Sequence, residues 1–343
     1  MMTRSPGWQR PDRFLVLLTF ATAGSFATSP PLTAQDGGFP VAVSPLQRGL
    51  DAYKAGDFDS AIADESAAIQ LNPNDEKAYY NRALAYTKKG NYDPALTDLN
   101  QAVLLDPKDE KALNNRGVIF QRKSAYDQAL ADFNQSLQLV PNDTKALNNR
   151  GTTYKLKGDY DKALTDYNAA IQIDAQDPEA YYNRAEVYGG KGDYDKAIAD
   201  LDQVVQLAPK IVSTYILRAE FAKAKSDYRK AIADLNLALQ VDPQNVAANS
   251  DLALVLATCP QTNLRDGKKA VEYATKACES SQWQNPPTLD ALAAACAEAG
   301  DFANAVKWET QYLQTPNLNP DRVAGAKSRL ALYHANQPYH AGK

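Results

Sequence analysis

Arginine and aspartate are the side chains whose spacing along this chain could carry chemistry. Each of six arginines is followed sixteen residues later by an aspartate, giving the pairs Arg48 and Asp64, Arg82 and Asp98, Arg116 and Asp132, Arg150 and Asp166, Arg184 and Asp200, and Arg218 and Asp234. A carboxylate beside a base can serve general acid–base catalysis. Catalysis needs one specialised site, however, whereas six copies are typical of a structural feature. We interpret these residues as ion pairs between two helices of one repeat.

The remaining reactive side chains are too few for a catalytic or metal site. The chain has two histidines, His334 and His340, and three cysteines without a CxxC pair, which argues against a histidine-based catalytic centre and a cysteine zinc site. Its 37 Lys+Arg against 41 Asp+Glu are too balanced for a nucleic-acid partner. We predict a non-enzymatic protein with no catalytic residue, cofactor, metal or small-molecule substrate.

The cysteines leave two interpretations open. An oxidising compartment would allow a disulfide, for which Cys278 and Cys296 on consecutive predicted helices are better placed than Cys259 and Cys278. Three is an odd number, however, and small buried apolar side chains are the favoured interpretation.

A period of 34 residues organises most of the chain. One register holds Pro73, Pro107, Pro141, Ala175, Pro209 and Pro243, and another holds Ala61, Ala95, Ala129, Ala163, Ala197 and Ala231, each with an aromatic residue three positions earlier. Six units therefore span residues 42–245 without an insertion. A fixed period of this length indicates a repeat architecture.

Each unit is predicted to be a pair of helices. In residues 76–89, Tyr79, Ala83 and Tyr86 recur at helical spacing, and Gly90 suits the turn that follows. The second helix starts near Asp93 and stops before Pro107, because proline cannot continue the hydrogen-bond ladder. One such hairpin cannot bury its apolar face alone, so the units must stack.

The repeated positions resemble the tetratricopeptide repeat family. They are its small, aromatic, alanine and proline positions, found here as Ala83, Tyr86, Ala95 and Pro107 and again as Gly117, Phe120, Ala129 and Pro141. The resemblance implies an all-α protein, an α-solenoid wound as a right-handed superhelix of seven to eight helix hairpins. Residues 246–314 are expected to form two divergent units with an inserted turn, and residues 315–343 a capping helix and tail.

The family resemblance also implies that the first helices line a concave groove that binds peptides. Residues predicted to face that groove are Asn81, Asn115, Asn149, Asn183, Lys77, Lys111, Lys145, Tyr80 and Tyr182. An asparagine amide can pair with both polar groups of an extended backbone, and the lysines favour acidic segments. The alternative is that asparagine is only a soluble residue copied along the array. The oligomeric state stays open.

The first 34 residues have the pattern of a signal peptide. Arg4, Arg10 and Arg13 precede an apolar run over residues 14–27, which is shorter than the roughly 20 residues of a membrane span. A cleaved secretory signal is therefore favoured over an anchor, with residues 35–45 as a flexible leader. We expect an exported, periplasmic or secreted protein-interaction scaffold. The alternative is a targeting or assembly subunit of a cell-envelope enzyme complex.

Overall fold

The protein, seen in a computed structural model, is described over residues 43–342. These residues form seventeen α-helices, one short 3-10 turn and no strand, as the predicted all-α class requires. The predicted signal peptide and most of the predicted leader lie outside the described residues. Two compact units divide the chain, Met1–Ala175 and Gln176–Lys343.

The N-terminal unit is a stack of four helix hairpins. Its helices are α1 (Pro45–Ala55), α2 (Phe58–Leu71), α3 (Glu76–Lys88), α4 (Tyr92–Leu105), α5 (Glu110–Arg122), α6 (Tyr126–Leu139), α7 (Thr144–Lys157) and α8 (Tyr160–Ile173). Odd-numbered helices are the first helices of the predicted repeats and even-numbered helices the second. Each hairpin packs against the next through the second helix of one and the first helix of the other.

The C-terminal unit has four further hairpins and a closing helix. Its helices are α9 (Pro178–Gly190), α10 (Tyr194–Leu207), α11 (Val212–Ala224), α12 (Tyr228–Val241), α13 (Val246–Thr258), α14 (Gly267–Ser280), α15 (Pro286–Glu298), α16 (Phe302–Leu313) and α17 (Pro320–His334). The inserted turn predicted after residue 258 contains the 3-10 turn Thr262–Leu264. The predicted closing helix is α17, which packs on α16.

Turn and cap residues explain why the helices begin and end where they do. Asp75, Asp109 and Asp143 each accept hydrogen bonds from the backbone N–H groups of the helix that follows, which satisfies donors left free at a helix start. Between the helices of a hairpin the chain needs one residue with positive φ. Gly158 supplies it with φ 82°, and Ser124 adopts φ 59° where serine replaces glycine.

In five of the eight hairpins the core is built on one small and one large apolar residue sixteen positions apart. Gly117 faces Phe133 and Gly151 faces Tyr167, and a Cβ atom added to either glycine would come within 2.8 Å of the ring. Other hairpins hold alanine and leucine at the same two positions, as Ala83 and Leu99, Ala185 and Leu201, and Ala219 and Leu235, all of them buried. The helices can therefore approach closely without leaving voids.

The first hairpin breaks this rule with a buried acid. Glu65 takes the place of the large apolar residue, lies against Gly49 and is fully buried. Its Oε1 accepts a hydrogen bond of 3.0 Å from Asn81 Nδ2, while Oε2 has no partner among the described residues. Burial raises the pKa of Glu65 to about 7, because a desolvated carboxylate is costly.

The three cysteines are buried and unbridged. Cys278 Sγ lies 3.4 Å from Thr288 Oγ1, and burial raises the pKa of Cys296 to about 11. They therefore act as small side chains of the core. Over residues 43–342, every helix is too short or too polar to cross a bilayer.

Candidate functional site

All six arginine–aspartate pairs are formed, each between the first and second helix of one hairpin. In the pair of α5 and α6, Arg116 Nε lies 2.8 Å from Asp132 Oδ2 and Nη2 lies 2.7 Å from Oδ1. Asp98, Asp132, Asp166, Asp200 and Asp234 are buried. Only the first pair is open to solvent, since the Arg48 side chain is 48% exposed and both of its bonds go to one oxygen of Asp64.

A third bond from the same arginines reaches the preceding hairpin. Arg82 Nη1 donates to Ser66 Oγ at 2.9 Å, Arg116 Nη1 to Asn100 Oδ1 at 3.2 Å, and Arg150 Nη1 to Asn134 Oδ1 at 2.8 Å. In the C-terminal unit, Arg218 Nη1 contacts Asp202 Oδ1 at 2.7 Å. Each acceptor lies sixteen residues before its arginine. The guanidinium therefore joins two helices of its own hairpin to the second helix of the previous one, a role its fixed fork of donors suits.

A second set of ion pairs joins neighbouring hairpins. Lysines at the end of a first helix contact aspartates at the start of the preceding second helix, as Lys89 with Asp59, Lys123 with Asp93, Lys157 with Asp127 and Lys225 with Asp195. These pairs were not predicted, although their constant separation of thirty residues is visible in the sequence.

The asparagines predicted to line the groove already form hydrogen bonds within the protein. We call Asn81, Asn115 and Asn149 the asparagine column; all three are half-buried. Asn115 Nδ2 donates to Tyr80 OH at 3.1 Å and to Lys111 O at 2.9 Å, and Asn149 Nδ2 donates to Asn114 Oδ1 at 3.1 Å.

These bonds link the first helices of successive hairpins at one face of the stack. Asn115 Nδ2 donates two hydrogen bonds and Asn149 Nδ2 one, so we expect the column to offer a ligand mainly its Oδ1 acceptors. The Tyr80 hydroxyl belongs to the same network, and burial raises its pKa to about 12. Asn183 and Tyr182 lie half-buried on α9, in the C-terminal unit.

The predicted lysines form an exposed column beside the asparagines. Lys77, Lys111 and Lys145, the lysine column, lie in the first turn of α3, α5 and α7 and are exposed. No carboxylate of residues 43–342 forms an ion pair with them, in contrast to Lys89, Lys123 and Lys157 at the other end of the same helices.

Glu76 precedes Lys77 in α3 and is one of several acids at this end of the helices, together with Asp75, Asp106 and Asp109. Burial, and then the neighbouring Asp109 carboxylate, raise the pKa of Glu76 to about 7. It is therefore only partly ionised near neutral pH.

Over the described residues, no cluster of histidine, cysteine and carboxylate side chains could hold a metal ion. What the molecule does present is a repeated polar face on stacked helix pairs. These features define a helical-repeat protein of the interaction-scaffold class.

Comparison with known families agrees with this class. Tetratricopeptide repeat models match residues 49–90 and 153–192, residues 76–109, 110–143 and 178–211, residues 133–165, and residues 212–245. The matched segments together run from residue 49 to residue 245, which is more than half of the chain. The chain belongs to the tetratricopeptide repeat family, whose members typically act as non-catalytic interaction scaffolds.

Solved structures share the fold at low sequence identity. A tetratricopeptide repeat protein from Parabacteroides merdae is 19% identical, with TM-score 0.57, over 73% of this chain and 97% of its own. The type IV pilus biogenesis factor PilW is 20% identical, with TM-score 0.57, over 61% and 96%. PilF of Pseudomonas aeruginosa is 17% identical, with TM-score 0.53, over 60% and 93%. No curated protein sequence matches the chain.

Proposed function

We propose that the N-terminal unit binds an extended acidic segment of a partner protein across α3, α5 and α7. The observation that carries this proposal is the lysine column. Three exposed cations recur at one register, and none forms an ion pair with a carboxylate of the described residues. Lysines at the opposite end of the same helices are each matched with an aspartate.

The geometry of the stack sets the kind of segment that fits. Helices in contact lie about 10 Å apart, and an extended chain advances about 3.3 Å per residue. A carboxylate at every third residue would therefore meet one lysine per hairpin. The Oδ1 atoms of the asparagine column can accept hydrogen bonds from backbone N–H groups of that segment, which makes the contact tolerant of sequence.

A binding measurement with two matched variants tests the proposal. The probe is a labelled peptide of about twelve residues with glutamate at every third position, titrated with the protein at low salt. Replacing Lys77, Lys111 and Lys145 by alanine is expected to weaken binding at least about tenfold. The control replaces Lys89, Lys123 and Lys157 by alanine, which removes the same charge from the same three hairpins. An equal loss of peptide affinity in both triple variants would refute a binding site at the lysine column.

The same face serves a second candidate role, as an assembly subunit of a cell-envelope complex. The fold shared with the pilus biogenesis factor PilW supports this role, as does the signal-like segment of residues 1–34. We propose that the protein is exported to the periplasm or secreted. Fractionation of bacteria expressing the whole chain, followed by mass spectrometry of its N-terminus, tests this: an uncleaved cytoplasmic product would contradict it.

A further inference from the structure

The C-terminal tail after α17 lies against the inserted turn and the helices around it. Ala341 N donates a backbone hydrogen bond of 2.8 Å to Thr258 O. Thr258 is the last residue of α13, so its carbonyl has no partner within the helix. The tail thus supplies a main-chain donor to a helix end.

A side chain of the tail adds a contact with α15. His340 Nε2 lies 2.7 Å from Glu298 Oε2 at the end of α15. The same carboxylate accepts a bond of 2.8 Å from Arg265 Nε, and Arg265 Nη1 donates to Cys259 O at 2.9 Å. The inserted turn after α13 is thereby ordered around the carboxylate that receives the tail.

A cavity remains beside the tail. It has a volume of about 280 Å³ and is lined by Tyr339 and Ala341 of the tail, with Lys223, Leu254, Asp290 and Arg329 from four different helices. Arg329 Cζ lies 6.0 Å from the centre of the Tyr339 ring. Arg329 Nη2 also contacts Asp290 Oδ1 at 2.6 Å and Glu309 Oε1 at 2.9 Å. The tail therefore covers a cleft that it does not fill, whose walls are largely apolar with charged side chains at Lys223, Asp290 and Arg329.

We propose that this cleft is a second peptide-binding site, closed by the chain's own tail. Its ligand is an extended segment of a partner protein that resembles the tail: an aromatic side chain for the cleft, followed by an imidazole or other donor for Glu298 and a backbone N–H for Thr258. The residues of this site all belong to the C-terminal unit, and none of them belongs to the asparagine or lysine column.

The contacts that hold the tail are of a kind that a competitor can replace. They are one backbone hydrogen bond, one histidine–glutamate contact, one ring contact and the packing of the Tyr339 side chain against the core of the unit. A second peptide with the same residue types could make each of them. The tail has the advantage of being tethered, which gives it a high local concentration at the cleft. Removing the tail should therefore expose the site, and a free copy of the tail should bind there.

The test uses a labelled peptide with the sequence of residues 335–343 as its probe. Its fluorescence anisotropy is followed during titration with the full chain and with a chain shortened to end at Asn336. The shortened chain is expected to bind the peptide at least about tenfold more tightly than the full chain. A shortened chain that melts like the full chain and does not bind the peptide would overturn the proposal.

Full-length variants decide the matter if the shortened chain does not fold. Ala341→Pro removes the backbone donor, and His340→Ala removes the contact with Glu298. Each is expected to increase capture of the peptide by the full chain. His334→Ala is the matched control, since His334 is exposed at the end of α17, and should leave capture unchanged. If neither tail variant captures more peptide than the wild type, the proposal is wrong and the tail only stabilises the fold.

Discussion

The ring of Phe133 lies so close to Gly117 that a Cβ atom at residue 117 would be 2.7 Å from Phe133 Cε1. The two residues belong to the first and second helices of one hairpin, and other hairpins hold alanine and leucine at the same positions. Where alanine replaces glycine on the first helix, leucine therefore replaces the aromatic residue on the second helix. This volume exchange is what allows one backbone geometry to be repeated with different side chains.

Gly117→Ala is accordingly expected to destabilise the protein by about 1–2 kcal/mol, because overpacking outweighs the better helix propensity of alanine. In the double variant Gly117→Ala with Phe133→Leu, the pair becomes that of the other hairpins and most of the loss should be recovered. Chemical denaturation of the two single variants and the double variant gives the coupling energy. Purely additive changes would contradict this packing relationship.

Arg116 should matter more for stability than Arg48. Arg116→Ala leaves the buried Asp132 without its cation and cuts the bond to Asn100, so we expect a loss of about 2–4 kcal/mol. Arg48→Ala is the control, and its exposed pair should cost about 0–1 kcal/mol. Thermal melting followed by circular dichroism compares the two. Peptide binding should be unchanged in Arg116→Ala, and equal melting temperatures for both variants would refute the structural role.

Glu65 should make stability depend on pH. Its pKa is raised to about 7 in the folded protein, against about 4.3 in an unfolded chain. The folded state therefore holds a proton that the unfolded state releases between these values, and the contribution of Glu65 to stability decreases as pH rises from about 4.3 to about 7.

Glu65→Gln removes this dependence. At pH 8 it should be more stable than the wild type by about 1–2 kcal/mol and near pH 4 nearly equal to it. Denaturation at several pH values measures the difference, with Glu279→Gln at an exposed position as the control. A difference between Glu65→Gln and wild type that does not vary with pH would contradict a protonated buried acid.

The asparagine column can be tested for binding separately from its structural bonds. Tyr80→Phe removes the hydroxyl that Asn115 Nδ2 contacts but keeps Asn115 Oδ1 for a ligand. Asn115→Ala removes both the contact with the Tyr80 hydroxyl and the Oδ1 acceptor. If Oδ1 contacts the peptide, Asn115→Ala should weaken binding of the glutamate peptide about fivefold, while Tyr80→Phe should not. Asn149→Ala, at the equivalent place on α7, should behave like Asn115→Ala. Equal binding by all variants would leave the column with a structural role only.

The sequence predicts much of this fold because each repeat places the same residue types at the same positions. Proline and glycine positions place the helices, and the sixteen-residue separation of arginine and aspartate follows from two helices that face each other. The third bond of Arg116, to Asn100, was not predicted, since that position holds serine, asparagine or aspartate in different hairpins. The docking of the tail has no sequence signature either, because the Ala341 donor is a main-chain group and the contact occurs once.

The central claim is that the lysine column binds an acidic segment. It is tested most directly by reversing the charge of the column and, separately, the charge of the peptide. The triple variant Lys77→Glu, Lys111→Glu and Lys145→Glu is titrated with the glutamate peptide and with the same peptide carrying lysine instead. We expect the wild type to bind the acidic peptide and the variant to bind the basic one, with each mismatched pair at least about tenfold weaker. Undiminished binding of the acidic peptide by a folded triple variant would contradict the claim.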